Sequence, residues 1–192
     1  MYDEKQRLQV HFTNLGKSLS AVKTHIAAVI LVFVLGMVAG IVSPTRAEEM
    51  VVAAFAELVG KLGELSTLEL MLAIFLRNAA AVGLTLLLGT LFMIFPLIAA
   101  YVNGMLVGYV VFLSPGDIWK LVPHGIFELP AVFIGWGLGL WCGLWIFHAP
   151  RWQTLKDRFR RAGLIYVLFL LPLLVVAAII EGGLASLLLR AR

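Results

Sequence analysis

Charge is what this chain has least of. Only 14% of its 192 residues are Asp, Glu, Lys or Arg, while 61% are hydrophobic. A soluble domain carries about 25% charged residues. Too few charges remain to cover the surface of a soluble protein of this size, which excludes a soluble globular domain and a disordered chain. Cysteine is nearly absent as well. The single Cys142 rules out an intrachain disulfide and any cysteine-based zinc or iron–sulfur site. No basic stripe on a soluble domain is available to contact nucleic acid, so no nucleic-acid partner is expected. What remains is an integral, multi-pass membrane protein whose first partner is the lipid bilayer.

Long apolar runs are what the chain has in abundance. A helix needs about 20 apolar residues to cross roughly 30 Å of hydrocarbon. Ile26–Val42 is a first span. The next run without a fixed charge lies between Arg77 and Asp117. As one helix it would be about 58 Å long, too long for a single crossing. Phe95-Pro96 is the natural break, because proline has no N–H to give to the preceding turn. Spans over 70–94 and 96–113 follow. Two more are predicted over 123–147 and 162–189. The fold class is thus all-α, a bundle of about five transmembrane helices forming one domain over 1–192.

Two further segments look helical without crossing. Residues 5–23 place Leu8, Phe12, Leu15, Leu19 and Val22 at alternating spacings of four and three, an amphipathic helix leading into span one. Residues 46–65 put Arg46, Glu49, Glu57, Lys61 and Glu64 on one face and Met50, Ala54, Phe55, Leu58 and Leu62 on the other. That pattern predicts an interfacial helix. With the N-terminus inside, Lys5, Arg7, Lys17, Lys23, Arg151, Lys156, Arg158, Arg160 and Arg161 fall on the cytoplasmic side. They outnumber Arg46, Lys61, Lys120, Arg190 and Arg192 on the other side. The bias predicts a cell-membrane protein with its N-terminus cytoplasmic and its C-terminus outside. Small residues after the first apolar run resemble a signal-peptide site, but the long lead before it predicts an uncleaved first helix.

Polar side chains inside spans are costly, so each calls for a reason. They are Arg77 and Asn78 in span two, Asn103 in span three, His124 and Glu128 in span four, and Glu181 in span five. Counting along each span puts Arg77, His124, Glu128 and Glu181 in one leaflet, with Asn103 nearer mid-depth. Three readings are open. The long side chains reach the headgroups, or Arg77 neutralises Glu128 or Glu181 in an ion-pair network, or the group is a ligand site. In the last case His124 and Glu128, four residues apart on one helix face, bind a divalent cation such as zinc together with Glu181. The spacing of two histidines around a glutamate that marks zinc hydrolases is absent. Ser43, Ser66, Ser114 and Ser186 lie at loops or span ends, so no serine triad is expected. No catalytic residues are assigned, and the chain is expected not to be an enzyme.

Proline and glycine add a second layer. Pro123 is placed to open span four, while Pro130 and Pro172 lie inside spans and predict bends. Gly36 and Gly40, Gly104 and Gly108, and Gly135, Gly139 and Gly143 recur at four-residue spacing, which lets helices approach closely. The seams they form lie within one bundle or between two copies of a homodimer, with the span-four stripe the best candidate for the latter. Trp119 and Trp152 fit interfacial belts. Trp141 and Trp145 share a helix face and are expected to meet lipid or a neighbouring helix.

The sequence resembles the stage II sporulation protein M family of integral membrane proteins. The resemblance rests on Asn78, on Asn103-Gly104, on Pro123-His124-Gly125 followed by Glu128, and on Ile180-Glu181-Gly182. Order and spacing match along nearly the whole chain. After Glu181, where members often carry a Thr-Pro tail, Gly183-Leu184 stands instead. The resemblance implies a non-enzymatic membrane protein that acts as a scaffold or assembly component. In spore-forming bacteria the family member belongs to a complex that recruits peptidoglycan hydrolases during engulfment. Partners are then a homo-oligomer or other membrane proteins. The alternative is a small transporter or channel that uses the intramembrane polar cluster.

Overall fold

The computed structural model describes the backbone of residues 2–45, 65–113 and 115–190, with side chains over 20–45, 65–113, 115–116 and 125–184. The expected interfacial helix over 46–65 falls almost entirely outside the described residues. Among the described residues there is helix and no strand. Helix α1 is Tyr2–Val42, α2 is Thr67–Leu91, α3 is Phe95–Leu113, α4 is Ile118–Gly143, α5 is Arg151–Ile165 and α6 is Leu171–Arg190. Five stretches are long and apolar enough to cross a membrane: Ser20–Val42, Thr67–Leu91, Phe95–Leu113, Gly125–Phe147 and Arg151–Leu184. The protein is a multi-pass membrane protein, all-helical and with five such stretches among the described residues.

Several ends differ from the sequence expectation, each for a local reason. The expected amphipathic helix and the first span form one unbroken helix of 41 residues, because no proline or glycine pair interrupts the chain between them. The break in the long apolar run comes at Phe92–Ile94, so that Pro96 sits in the first turn of α3, where its missing N–H costs nothing. Pro123 does not open α4. That helix begins at Ile118 and carries Pro123 in its second turn, then closes in a short 3-10 turn over Leu144–Phe147. A cis peptide at Ala149–Pro150 lies in the reversal that follows. The helical rod that carries the fifth span begins ahead of the expected span, at Arg151. α5 runs into α6 through a π turn at Tyr166–Leu170, in which the Leu171 N–H bonds the Tyr166 carbonyl. Pro172 cannot donate to the carbonyl four residues before it, and widening the turn absorbs that missing bond.

Small residues decide which helices meet. In α1 and α3 a Cβ on Gly36 would strike the Tyr101 carbonyl oxygen, and one on Gly40 the Met105 carbonyl oxygen. Reciprocally, a Cβ on Gly104 would strike the Phe33 carbonyl oxygen, and one on Gly108 that of Met37. The rising register shows that α1 and α3 run parallel, as two helices separated by one other span must. Close backbone approach also permits Cα–H···O contacts and dense dispersion, which replace the hydrophobic effect inside a bilayer.

Helix α4 is the centre of the bundle, with every residue from 135 to 143 buried. Gly135 lies against Val82, Gly139 against Thr85 and Leu86, and Gly143 against the Gly89 carbonyl, all on α2. Gly137 points the other way, to Ile26 of α1. Glycines on two faces let one helix be approached from both sides. The span-four stripe is therefore occupied by α2 of the same chain and is not a free seam for a second copy. Two larger apolar clusters fill most of the remaining space, beside the Met105–Tyr109 pair. Val82, Leu138, Leu170 and Leu174 anchor one. Val29, Phe33, Ala100, Trp136 and Leu140 anchor the other, where Phe133 meets Phe33 edge-on with centroids 5.1 Å apart.

Candidate functional site

The polar residues of the spans can be placed by helix register. Since Gly135 meets Val82 and Gly143 meets Gly89, α4 runs parallel to α2. Glu128, about two turns before Gly135, then stands level with Phe75. In α6, Gly182 lies against Met71, while Tyr166, at the other end of the same rod, donates its hydroxyl to the Ala79 carbonyl at 2.7 Å. α6 thus runs antiparallel to α2 and brings Glu181 to the level of Met71 and Leu72. Arg77, Asn78, Glu128, Glu181 and the backbone of His124 fall within about 10 Å of one another along the bundle axis. They sit on α2, α4 and α6, three helices in mutual contact.

Burial separates their roles. Arg77 is exposed on the bundle surface, whereas Asn78, Glu128 and Glu181 are half-buried. The Oε2 atom of Glu181 is shut away from solvent. Arg77, Glu128 and Glu181 each have polar or electrostatic partners. The His124 side chain lies outside the described residues. Among the described residues, no group of three His, Cys, Asp or Glu side chains converges as a metal-holding set would.

Glycine again sets the spacing. A Cβ on Gly182 would press on the Met71 side chain and stand 3.2 Å from its Cα, so this glycine lets α6 carry the neighbouring Glu181 close to α2. Gly125 has ordinary room, with Leu129 the near neighbour among the described residues, at 3.5 Å.

Asn103 does not join the group. It is exposed on α3 and donates Nδ2–H to the Ala99 carbonyl of its own helix at 2.8 Å. Thr85 and Thr90 satisfy themselves in the same way, on Ala81 at 2.7 Å and Leu86 at 2.9 Å. Back-bonding to the preceding turn is the usual refuge of a short polar side chain in a span.

A second polar assembly, at the opposite end of the bundle, has no counterpart in the motif reading. Arg158 of α5 donates from Nη1 to the Trp141 carbonyl at 2.6 Å, and its guanidinium lies 5.0 Å from the Trp141 ring centroid. Trp145 donates Nε1–H to the Thr90 carbonyl at 3.2 Å. Both carbonyls belong to the last α-helical turn of their helix, where carbonyls lose their α-helical N–H partners. A cation at a helix C-terminus is also favoured by the macrodipole. His25 lies within electrostatic reach of Arg158 and His148. Sequence reasoning counted Arg158 only as a topology signal and left Trp141 facing lipid or a neighbouring helix. Trp141 is buried against neighbouring helices, the second of those alternatives. The one available clue was an Arg placed a short loop after a Trp-rich helix end.

Five apolar helices, polar groups gathered at the ends and glycine seams between backbones define the class: a polytopic helical membrane protein. The model of the stage II sporulation protein M family matches residues 28–186. The chain belongs to that family. The match includes Asn78, Asn103-Gly104, Pro123 to Glu128 and Ile180-Glu181-Gly182. No curated protein and no solved structure matches it.

Proposed function

We propose that this protein is a non-enzymatic scaffold or assembly component of a membrane complex. The observation that carries this reading is the length of α1. The helix has 41 residues, about 60 Å, while the hydrocarbon is roughly 30 Å thick. Ser20–Val42 is apolar enough to span, while Asp3, Glu4, Lys5, Arg7 and Lys17 are too many charges to let the lead before it cross. The first eighteen or so residues of α1 therefore form a helical arm about 27 Å long, continuous with the first span. Leu8, Phe12, Leu15 and Leu19 recur along it at alternating spacings of four and three, a pattern that seats on a partner helix. An arm rigidly joined to the bundle transmits position, which is what an assembly component needs. The basic bias supports a cytoplasmic N-terminus and an outside C-terminus.

Gentle affinity purification from native membranes tests the reading. The expected result is a stable co-purifying membrane protein, or further copies of this chain, lost when residues 2–16 are deleted from an otherwise intact bundle. Equal recovery with and without the arm would overturn it.

A second reading is favoured by the register that gathers Arg77, Asn78, Glu128 and Glu181 at one end. A transporter or channel would use that end as its substrate or ion site, with His124, Glu128 and Glu181 holding a divalent cation such as zinc. Ion flux in reconstituted vesicles, and metal analysis after metal-replete purification, discriminate the two. Flux abolished by Glu128→Gln and Glu181→Gln supports transport. Flux absent from the wild type supports the scaffold.

A further inference from the structure

Helix α5 is anchored on one side and vacant on the other. Ala162 and Ile165 are buried, at 0% and 1% exposure, and Arg158 on the same side is tied to Trp141. That fixes which face points outward. On the outward and flanking faces stand Lys156, Arg160 and Arg161, all exposed, against the single anion Asp157. Trp152 and Phe159 are 64% and 41% exposed. Trp152, Lys156 and Phe159 follow one another at spacings of four and three, so they form one stripe, and the Lys156 ammonium lies 5.4 Å from the Trp152 ring centroid. Arg160 borders the stripe one turn beyond Lys156.

The position of this face relative to a bilayer follows from the chain. Arg151–Leu184 has 34 residues, about 51 Å of helix, against roughly 30 Å of hydrocarbon. The rod must leave the hydrocarbon, and it does so at its charged end, which is α5. A helix that emerges from a membrane there holds its side chains at headgroup depth. Exposed aromatics prefer that depth, and Lys and Arg beside them meet phosphates.

We propose that the Trp152–Lys156–Phe159–Arg160 face of α5 is a docking surface for anionic phospholipid, with the headgroup phosphate held by Lys156 and Arg160 and with Trp152 and Phe159 set into the acyl boundary. The occupant is an anionic lipid because the face carries excess positive charge, is joined directly to a span and offers aromatic rings rather than an aliphatic groove. A basic segment next to a membrane attracts anionic lipid with an energy that adds per charge and fades with salt.

The test uses the full chain reconstituted in phosphatidylcholine vesicles carrying a trace of spin-labelled phosphatidylglycerol or spin-labelled phosphatidylcholine. The fraction of each label immobilised by the protein is compared. The expected result is a preference for the phosphatidylglycerol label that falls roughly tenfold in the Lys156→Gln/Arg160→Gln protein. It should survive in Lys156→Arg/Arg160→Lys and decline in the wild type as salt is raised. Both substituted side chains are exposed, and the salt series on the wild type needs no variant to fold. No preference in the wild type, or one that ignores salt and the Gln pair alike, would overturn the proposal. So would an acidic soluble protein that binds this face in detergent and is not displaced by phosphatidylglycerol.

Discussion

Gly104 lies directly beneath the carbonyl oxygen of Phe33, and any Cβ built on it would overlap that oxygen. Gly36 stands in the same relation to Tyr101 on the return face. The contact is backbone to backbone, so neither side can yield by changing a rotamer. Overpacking of this kind costs about 1–3 kcal/mol per site, and more where backbone must move. Gly104→Ala and Gly36→Ala are expected to lower the thermal midpoint of the purified protein clearly, and Gly104→Val to prevent folding. Gly163, in helical α5 with nothing among the described residues within 4 Å of its Cβ position, supplies the control. Gly163→Ala is expected to leave stability unchanged or raise it by up to about 1 kcal/mol through helix propensity. Thermal unfolding in a mild detergent reads all four.

A Cβ on Gly182 would meet the Met71 side chain first, with the Met71 Cα 3.2 Å away, so part of its cost should be relievable. Gly182→Ala is expected to destabilise by about 1–2 kcal/mol. Met71→Ala removes the flexible neighbour and should make the second substitution cheaper than the sum of the two single changes. A double-mutant cycle on unfolding midpoints measures the coupling. Strict additivity would show that α6 does not approach α2 through this pair.

Arg158 joins α5 to the end of α4. Arg158→Ala removes both the hydrogen bond to the Trp141 carbonyl and the stacking on its ring, and should cost about 1–2 kcal/mol after allowance for the partial exposure of the guanidinium. Arg158→Lys should recover little, because a lysine lacks the planar fork that bonds and stacks together. Faster amide exchange confined to α5 and the last turn of α4 is the expected signature in mass-spectrometric hydrogen exchange.

Ser66 and Glu69 form a capping box at the start of α2, with the Ser66 N–H donating to Glu69 Oε2 at 2.9 Å and the Glu69 N–H donating to Ser66 Oγ at 3.4 Å. Ser66→Ala is expected to fray the first turn. Exchange protection should fall there and stay unchanged in the middle of α2.

Much of this architecture is written locally in the chain. Each apolar run fixes one crossing, because the bilayer sets a length and leaves no water for an exposed backbone. Pro96 fixes the break between two spans. Counting from span ends already gathers Arg77, Glu128 and Glu181 at one level, because alternating passage forces it. Four-residue glycine spacing announces close helix contact.

The sequence alone could not choose partners. Periodicity defines the face a helix offers, not the helix that takes it, and pairing is settled by the joint packing of segments far apart in the chain. Only the tertiary structure matches Gly104 to Phe33, gives the Gly135–Gly139–Gly143 stripe to α2 of the same chain, and sets Asn103 apart from the other motif residues. It also turns Arg158 from a topology charge into a cap on α4, because a helix end leaves carbonyls that some donor must meet, and only the fold brings that donor. The scarcity of charge determines that this is a membrane protein. The tertiary structure decides which charges mark the boundary and which hold the bundle together.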